Sequence, residues 1–301
     1  MHRRSLVRST AAVCGLLLAT ACGEQTDQSA TPGAAPSPAA QAEVAADDAL
    51  AAMVPEEIAA DGVLVVGTDA TYAPNEFLAE DGTTVQGLDV DLFDAVAAKL
   101  GLEARYEPAP FDAIITGVQS GKYEVGVSSF TINDERKQQV DMVSYFSAGT
   151  SWAAPAGNPG DVDIENACGK RIAVQRGTVQ VEDITARSEA CTAAGQPEIV
   201  IDQYQGQDQA TSAVVSGKDD AMLADSPVAA YAVQQTQGGL ELLGDIYDAA
   251  PYGYVLRKDQ GEFPQAVAGA VDALIADGTY AQVLDTWGVG QGALPGAEVN
   301  P

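Results

Sequence analysis

Histidine is almost absent from this chain of 301 residues. The single histidine, His2, lies at the N-terminus, ahead of an apolar stretch. Without histidine elsewhere, the chain has no Ser–His or Cys–His pair for nucleophilic catalysis and no histidine ligand for a metal. We therefore expect no catalytic residues, no metal site and no cofactor.

Basic residues are also scarce. Lysine and arginine number 15 against 43 aspartates and glutamates, and the formal net charge at pH 7 is −28. Such a chain offers no basic patch for nucleic acid, or for docking on anionic lipid by charge. The acidity is either a general solubility feature or a modest attraction for cationic solutes.

The N-terminal apolar stretch, residues 11–21, is too short to span a bilayer. Three arginines precede it, a pattern typical of a secretory signal, and we predict a signal peptide at residues 1–21. The small residues before Cys22 resemble a bacterial lipobox, although Ala19 stands where leucine is usual. We predict that Cys22 is lipidated; the alternative is a secreted protein with a free Cys22.

Residues 22–57 are rich in Ala, Pro, Ser, Gln and Thr, with few large apolar side chains. Such a segment cannot bury enough surface to order itself, although part of residues 39–53 has a helical pattern. We predict a lipidated flexible tether that holds a folded head at the outer face of the cytoplasmic membrane. Cys168 and Cys191 are the cysteines of that head, and their separation of 23 residues is no zinc-site spacing. In an exported protein they are predicted to form a disulfide.

Strand and helix patterns alternate after the tether. Val63–Val66 reads as a strand, residues 92–100 as a helix and residues 102–106 as a strand, and a second round begins at residue 170. This succession predicts an α/β fold with a mostly parallel sheet and two lobes, and ligands at the carboxyl ends of strands. Asp89 and Asp91 are predicted to be helix-start residues and not a calcium loop, which would need a turn glycine.

Three hydroxyls and a guanidinium stand where an apolar strand gives way to a helix start. They belong to Ser128, Ser129, Thr131 and Arg136. Arginine presents a planar fork that matches a carboxylate bidentately, so the run predicts a cup for a carboxylate such as that of a free amino acid. The alternative is a surface loop with a solvated arginine.

Further motifs follow one another in order: Gly67-Thr68-Asp69-Ala70-Thr71-Tyr72-Ala73-Pro74, Gly87-Leu88-Asp89-Val90-Asp91-Leu92, Ser120-Gly121-Lys122-Tyr123-Glu124-Val125, Gly177-Thr178, Leu223-Ala224-Asp225-Ser226 and Thr286-Trp287-Gly288. With Ser128 to Arg136, this set resembles the family 3 extracellular solute-binding proteins of bacterial ABC importers, the amino-acid-binding group. The resemblance implies a periplasmic-binding-protein-like fold (type II) with a two-strand hinge. Residues 58–151 plus 254–301 would form lobe 1, and residues 152–253 lobe 2.

The resemblance also implies which residues bind the carboxylate and the ammonium group of the ligand. Arg136 would hold its carboxylate, helped by the hydroxyls or backbone of Ser128, Ser129, Thr131 and Thr178. A buried zwitterion needs a charge partner at each end, and a second partner is implied for the ammonium group.

The resemblance implies that Asp225 binds the ammonium group of the ligand. It also places Tyr72 and Phe111 over the aliphatic part of the ligand. Asp69 would face the ligand side chain and favour a basic amino acid or glutamine over an acidic one. The alternatives are that Asp225 caps a helix, that Tyr72 and Phe111 are core aromatics, and that Asp69 caps a local turn.

The implied function is capture of a polar amino acid by a monomer that is not an enzyme and that delivers its ligand to an ABC permease. One alternative is a ligand-sensing receptor module. Another is a cyclohexadienyl-dehydratase-like enzyme, in which Glu76 or Glu182 would have to be the general acid. Two departures from the family pattern concern the pocket: Asn75 replaces an aromatic residue, which predicts a more polar roof, and Val179 removes a hydroxyl.

Overall fold

The computed structural model describes residues 44–301. Its strands are, in chain order, β1 (Val63–Thr68), β2 (Thr71–Tyr72), β3 (Glu76–Leu78), β4 (Val85–Gln86), β5 (Glu103–Pro108), β6 (Val125–Gly126), β7 (Asp141–Pro155), β8 (Arg171–Gln175), β9 (Val200–Tyr204), β10 (Ala221–Asp225) and β11 (Leu240–Leu256). Its helices are α1 (Asp48–Ala51), α2 (Glu56–Ala59), α3 (Leu88–Lys99), α4 (Phe111–Gln119), α5 (Asp134–Gln139), α6 (Val179–Ala193), α7 (Gln207–Val215), α8 (Ser226–Gln235), α9 (Phe263–Asp277) and α10 (Thr279–Trp287).

Two long strands in the middle of the main sheet join the lobes. The strand order is β5-β1-β6-β11-β7-β10-β8-β9, and β7 and β11 pair antiparallel along their length. Residues 255–256 of β11 pair with β6 of the first lobe, whereas residues 150–153 of β7 pair with β10 of the second. The predicted α/β, two-lobed fold is confirmed, with parallel strands inside each lobe and an antiparallel pair between them. The residue boundaries of the lobes stay a prediction.

Each lobe has its own apolar core. In the first lobe, α3, α9 and α10 cover the sheet, and Leu64, Phe93 and Trp287 are among the buried side chains. In the second, smaller core, Trp152 and Ile172 pack beneath α6. Separate cores allow each lobe to move as a unit on the two connecting strands.

Gly87 fixes the start of α3, which begins four residues before the predicted helix. Its φ is +142°, and a Cβ there would lie 2.1 Å from the backbone oxygen of Asn75. Only glycine combines this backbone conformation with so close an approach. The contact sets the β2–β3 turn against the N-terminus of α3, and both contribute to the cleft.

The last part of the predicted tether packs on the first lobe. Asp47 caps α1 by accepting from the N–H groups of Ala49 and Leu50, at 2.9 and 3.2 Å. Leu50 packs on Gly269 of α9, and Val54 is buried in the lobe core. Residues 44–57 therefore belong with the folded head, because this stretch carries enough apolar side chains to bury.

The predicted disulfide is confirmed. Cys168, just before β8, is bonded to Cys191 near the end of α6, with 5.6 Å between the Cα atoms. The bridge closes one side of the second-lobe core, where Cys191 is buried. It ties the first strand of that lobe to the helix that follows it.

The predictions for the signal peptide (residues 1–21), for Cys22 and for the tether up to residue 43 lie outside the described residues. Within residues 44–301, no helix combines the length and the apolar character that crossing a bilayer requires.

Candidate functional site

A buried cavity lies where the carboxyl ends of β1, β6, β8 and β10 meet between the lobes. The nine predicted ligand-binding residues all line it: Asp69, Tyr72, Phe111, Ser128, Ser129, Thr131, Arg136, Thr178 and Asp225. Four more residues complete the lining, namely Glu76, Gln175, Val179 and Gln180. The sequence hints at Gln175 and Gln180, which flank the Gly-Thr turn between β8 and α6, but neither was predicted.

Arg136 is held rigidly at one end of the cavity. Asn133 caps α5 by accepting from the Arg136 backbone N–H at 2.9 Å, which places the arginine in the first turn. Its Nη1 donates to the Thr131 carbonyl at 2.8 Å and its Nη2 to the Gly177 carbonyl, in the other lobe, at 3.1 Å. Arginine has further N–H donors in a fixed fork, and these remain for an anionic ligand group.

Two stacked aromatic rings lie beside that guanidinium. Phe111 and Phe130 stack with centroids 4.6 Å apart, and the Arg136 guanidinium carbon lies 5.5 Å from each centroid. Burial lowers the pKa of Arg136 from its ordinary value, but an arginine stays charged at any physiological pH. Phe111 therefore agrees with both alternatives from the sequence, because it packs against another aromatic ring and also lines the cavity.

Asp225 also lines the cavity, at the carboxyl end of β10. Its Oδ1 accepts from Gln180 Nε2 at 2.8 Å, and its backbone N–H donates to the Tyr72 hydroxyl at 3.1 Å. Asp225 occupies the N-cap position of α8, yet its side chain makes no capping hydrogen bond. Burial raises the pKa of Asp225. The side chain is thus turned away from the helix and toward the cleft.

Both carboxylate oxygens of Asp69 are saturated by donors from within the protein. Its Oδ1 accepts from the backbone N–H and hydroxyl of Thr71 at 3.0 and 2.5 Å, and its Oδ2 from the Phe111 N–H and from Gln175 Nε2, each at 3.0 Å. The bonds from Thr71 agree with the alternative that Asp69 caps a local turn. The bond from Gln175 crosses the cleft from the second lobe. With both oxygens in use, Asp69 has little left to offer a ligand.

The serine hydroxyls differ from the predicted carboxylate cup. Ser128 Oγ donates to Glu76 Oε1 at 3.0 Å, and Ser129 Oγ contacts Glu76 Oε2 at 3.2 Å. Ser129 also accepts from Asn75 Nδ2 at 2.9 Å, so the polar side chain predicted for the pocket roof lies behind this serine. Both serine hydroxyls therefore lie against Glu76, an acid that the sequence analysis named only as a general acid of the enzymatic alternative.

Glu76 and Asp89 form a fully buried acidic pair behind those serines. Burial raises the pKa of Glu76 well above its ordinary value, and the negative charge of Asp89 raises it further. Burial also raises the pKa of Asp89, to about 6, against hydrogen bonds from Tyr145 and Ser129. Asp89 lies in the first turn of α3, as predicted, but it points into the protein.

The second lobe closes on the cavity through Thr178 and its neighbours. Thr178 is the N-cap residue of α6, and its Oγ1 donates to the Gln175 carbonyl at 2.8 Å and makes no capping bond. The free space inside is about 10 Å³, about one water molecule. An amino acid can enter only when the lobes separate.

Residues 64–290 match the family described as bacterial extracellular solute-binding proteins, family 3. The arginine-binding protein ArgT of Corynebacterium glutamicum is 39% identical over 250 residues, which is 83% of this chain and 82% of ArgT.

Two solved structures share the fold. An ancestral arginine-binding protein bound to arginine has 33% identity and a TM-score of 0.70, over 75% of this chain and 98% of that one. The ancestral amino acid-binding protein AncCDT-1, a precursor of cyclohexadienyl dehydratase, has 32% identity and a TM-score of 0.67, over 77% and 98%. With the family match across most of its length, this chain belongs to family 3 of the bacterial extracellular solute-binding proteins.

Proposed function

We propose that this protein captures a basic amino acid outside the cytoplasmic membrane and delivers it to an ABC permease. The observation that carries the proposal is that one buried cavity is lined by both a guanidinium, of Arg136, and a carboxyl group that makes no capping bond, of Asp225. A zwitterion placed between them would meet an opposite charge at each end, and charged hydrogen bonds contribute roughly 1.5–3 kcal/mol each. The apolar parts of Tyr72 and Phe111 line the space between.

The charge balance of the cavity favours a cationic side chain. Its lining includes three carboxyl groups, of Asp69, Glu76 and Asp225, against the single guanidinium of Arg136. Asp225 and Arg136 would balance the ligand backbone, and both oxygens of Asp69 already accept hydrogen bonds, which leaves Glu76 as the acid that a cationic side chain would meet. The similarity to proteins described as arginine-binding supports the same preference.

A calorimetric and thermal-shift screen of the twenty amino acids tests this function. We expect arginine or lysine to raise the melting temperature most, because a ligand that binds only the folded state stabilises it by mass action. Glutamate and aspartate should give the weakest response. Preferential binding of an acidic amino acid, or no response to any amino acid, would contradict the proposal.

Binding without turnover is part of the same proposal. Glu76 lines the cavity and could act as a general acid, so a dehydratase is the enzymatic rival, and AncCDT-1 is a precursor of cyclohexadienyl dehydratase. We expect arginine to be recovered unchanged after long incubation, and prephenate-like compounds to remain intact, as followed by NMR.

Membrane anchoring rests on Cys22. We expect Cys22→Ala to release the protein from the membrane fraction into the soluble exported fraction, because the acyl chains on that residue would be its anchor. Ser5→Ala, in the same N-terminal segment, is the control and should stay with the membrane. Membrane retention of Cys22→Ala, with no lipid found on the mature N-terminus by mass spectrometry, would refute the anchor.

A further inference from the structure

Two buried carboxyl groups meet at one hydroxyl behind the cavity. Ser129 Oγ lies 3.2 Å from Glu76 Oε2 and 3.2 Å from Asp89 Oδ2, and both acids are 0% exposed. A hydroxyl has one proton and can donate it to only one of the two. Two ionised carboxylates so close together and removed from water would repel strongly, so the pair keeps a proton.

The surrounding donors show where that proton lies. Asp89 Oδ2 accepts from the Ser129 N–H at 2.9 Å and from the Tyr145 hydroxyl. Asp89 Oδ1 has no N–H or hydroxyl donor among the residues that the structure describes, and the carboxyl groups of Asp89 and Glu76 meet at the same hydroxyl, close enough to share a proton. A protonated Glu76 that donates to Asp89 Oδ1 satisfies both residues.

The titratable groups that act on Glu76 from the surrounding elements are acids and phenols. They are Asp69 at the end of β1, Tyr72 on β2, Asp89 on α3 and Tyr145 on β7. The cation of the cavity, Arg136, is instead bonded to the carbonyls of Thr131 and Gly177. A positive charge that reached Glu76 would therefore come from a ligand, and it would favour the ionised carboxylate.

We propose that the Glu76–Asp89 pair holds one proton in the unliganded protein and releases it to solvent when a cationic ligand side chain is bound. This inference rests on the proposed function. The proton leaves the Glu76 carboxyl group, and the resulting carboxylate pairs with the ligand cation. An uncharged side chain leaves the proton in place, so proton release distinguishes a basic amino acid from its neutral analogue.

The coupling has a definite sign. Because the complex with a cationic ligand binds one proton fewer than the free protein, its affinity rises with pH and falls as the pH is lowered. The limit for one proton is about tenfold per pH unit. The affinity for a neutral analogue should change less over the same range.

Calorimetry measures the proton directly. We would titrate the protein with L-arginine, and with its neutral analogue L-citrulline, at pH 7 in phosphate and in Tris buffer, whose ionisation enthalpies differ. The dependence of the binding heat on the buffer gives the number of protons exchanged. We expect release of up to about one proton for arginine and less for citrulline.

Two variants test whether the released proton comes from Glu76. Glu76→Gln keeps the shape of the side chain and a donor toward Asp89, and it should remove the extra proton release with arginine. Glu80→Gln removes the same charge from an exposed site two residues past β3 and should leave the release unchanged. The pH dependence of the arginine affinity of the unaltered protein is a measurement that needs no variant.

The outcomes separate the two proposals. Arginine binding with no buffer dependence, or with the same proton release in Glu76→Gln, would overturn the shared-proton inference and leave the function intact. Absence of arginine and lysine binding in either buffer would overturn the proposed function itself.

Discussion

Replacing Arg136 with alanine is expected to abolish amino-acid binding while the protein stays folded. The buried carboxylate of the ligand would lose its charge partner, a loss of more than about 2 kcal/mol, or roughly 30-fold in affinity. Calorimetry with the best ligand of the amino-acid screen measures the loss. Arg136→Lys keeps the charge but not the planar fork. Its affinity for the ligand should fall between those of Arg136→Ala and the unaltered protein.

Arg105→Ala is the matched control for that experiment. Arg105 is exposed and its guanidinium pairs with Glu107 at 2.7 Å, far from the cavity lining. Exposed ion pairs contribute little, so this variant should bind like the unaltered protein. Circular dichroism checks that Arg136→Ala still folds. An affinity of Arg136→Ala within about threefold of the unaltered protein would show that Arg136 does not hold the ligand.

Loss of the Cys168–Cys191 disulfide should be the largest change in stability. The bridge closes a loop of 23 residues in sequence separation, and the chain-entropy model assigns such a loop about 3 kcal/mol. The second-lobe core is the smaller of the two lobe cores, which makes it the more dependent on a covalent link. Denaturant unfolding of the double variant, Cys168→Ser with Cys191→Ser, measures the effect.

A reducing agent supplies the control. Reduction should destabilise the unaltered protein by a similar amount and leave the double variant unchanged, because the variant has no bridge to lose. If mass spectrometry shows full reduction and the unfolding midpoint of the unaltered protein does not move, the disulfide contributes nothing to equilibrium stability.

Patterns within one element or one turn were readable from the sequence. The strand predicted at Val63–Val66 lies within β1, and the alternation of strands and helices predicted the α/β class and the two lobes. The disulfide followed from the export signal and the two remaining cysteines. The strands and helices follow from the local period of apolar residues, and the disulfide follows from the oxidising compartment that the export signal indicates. Both signals can be found in the sequence alone.

The direction of individual side chains was not readable. Gln175 reaches Asp69 across 106 positions of sequence, and it is this bond, with the local turn, that occupies the acid predicted to face the ligand. Ser128 and Ser129 turn toward Glu76 because β3 brings that acid beneath them. The sequence placed the right residues around the cavity, but the partner of each hydroxyl depends on contacts between distant segments.

The packing of residues 44–57 has a mechanical consequence. The Asp47 N–H donates to the Lys99 carbonyl at 2.8 Å, and Leu50 lies on α9, so this stretch is fastened to the first lobe. A pulling force applied to the chain ahead of residue 44 would load these contacts and not the cleft. The first lobe would then be the lobe held fixed by the tether. The second lobe would be the one that moves, on β7 and β11, when the cleft opens and closes.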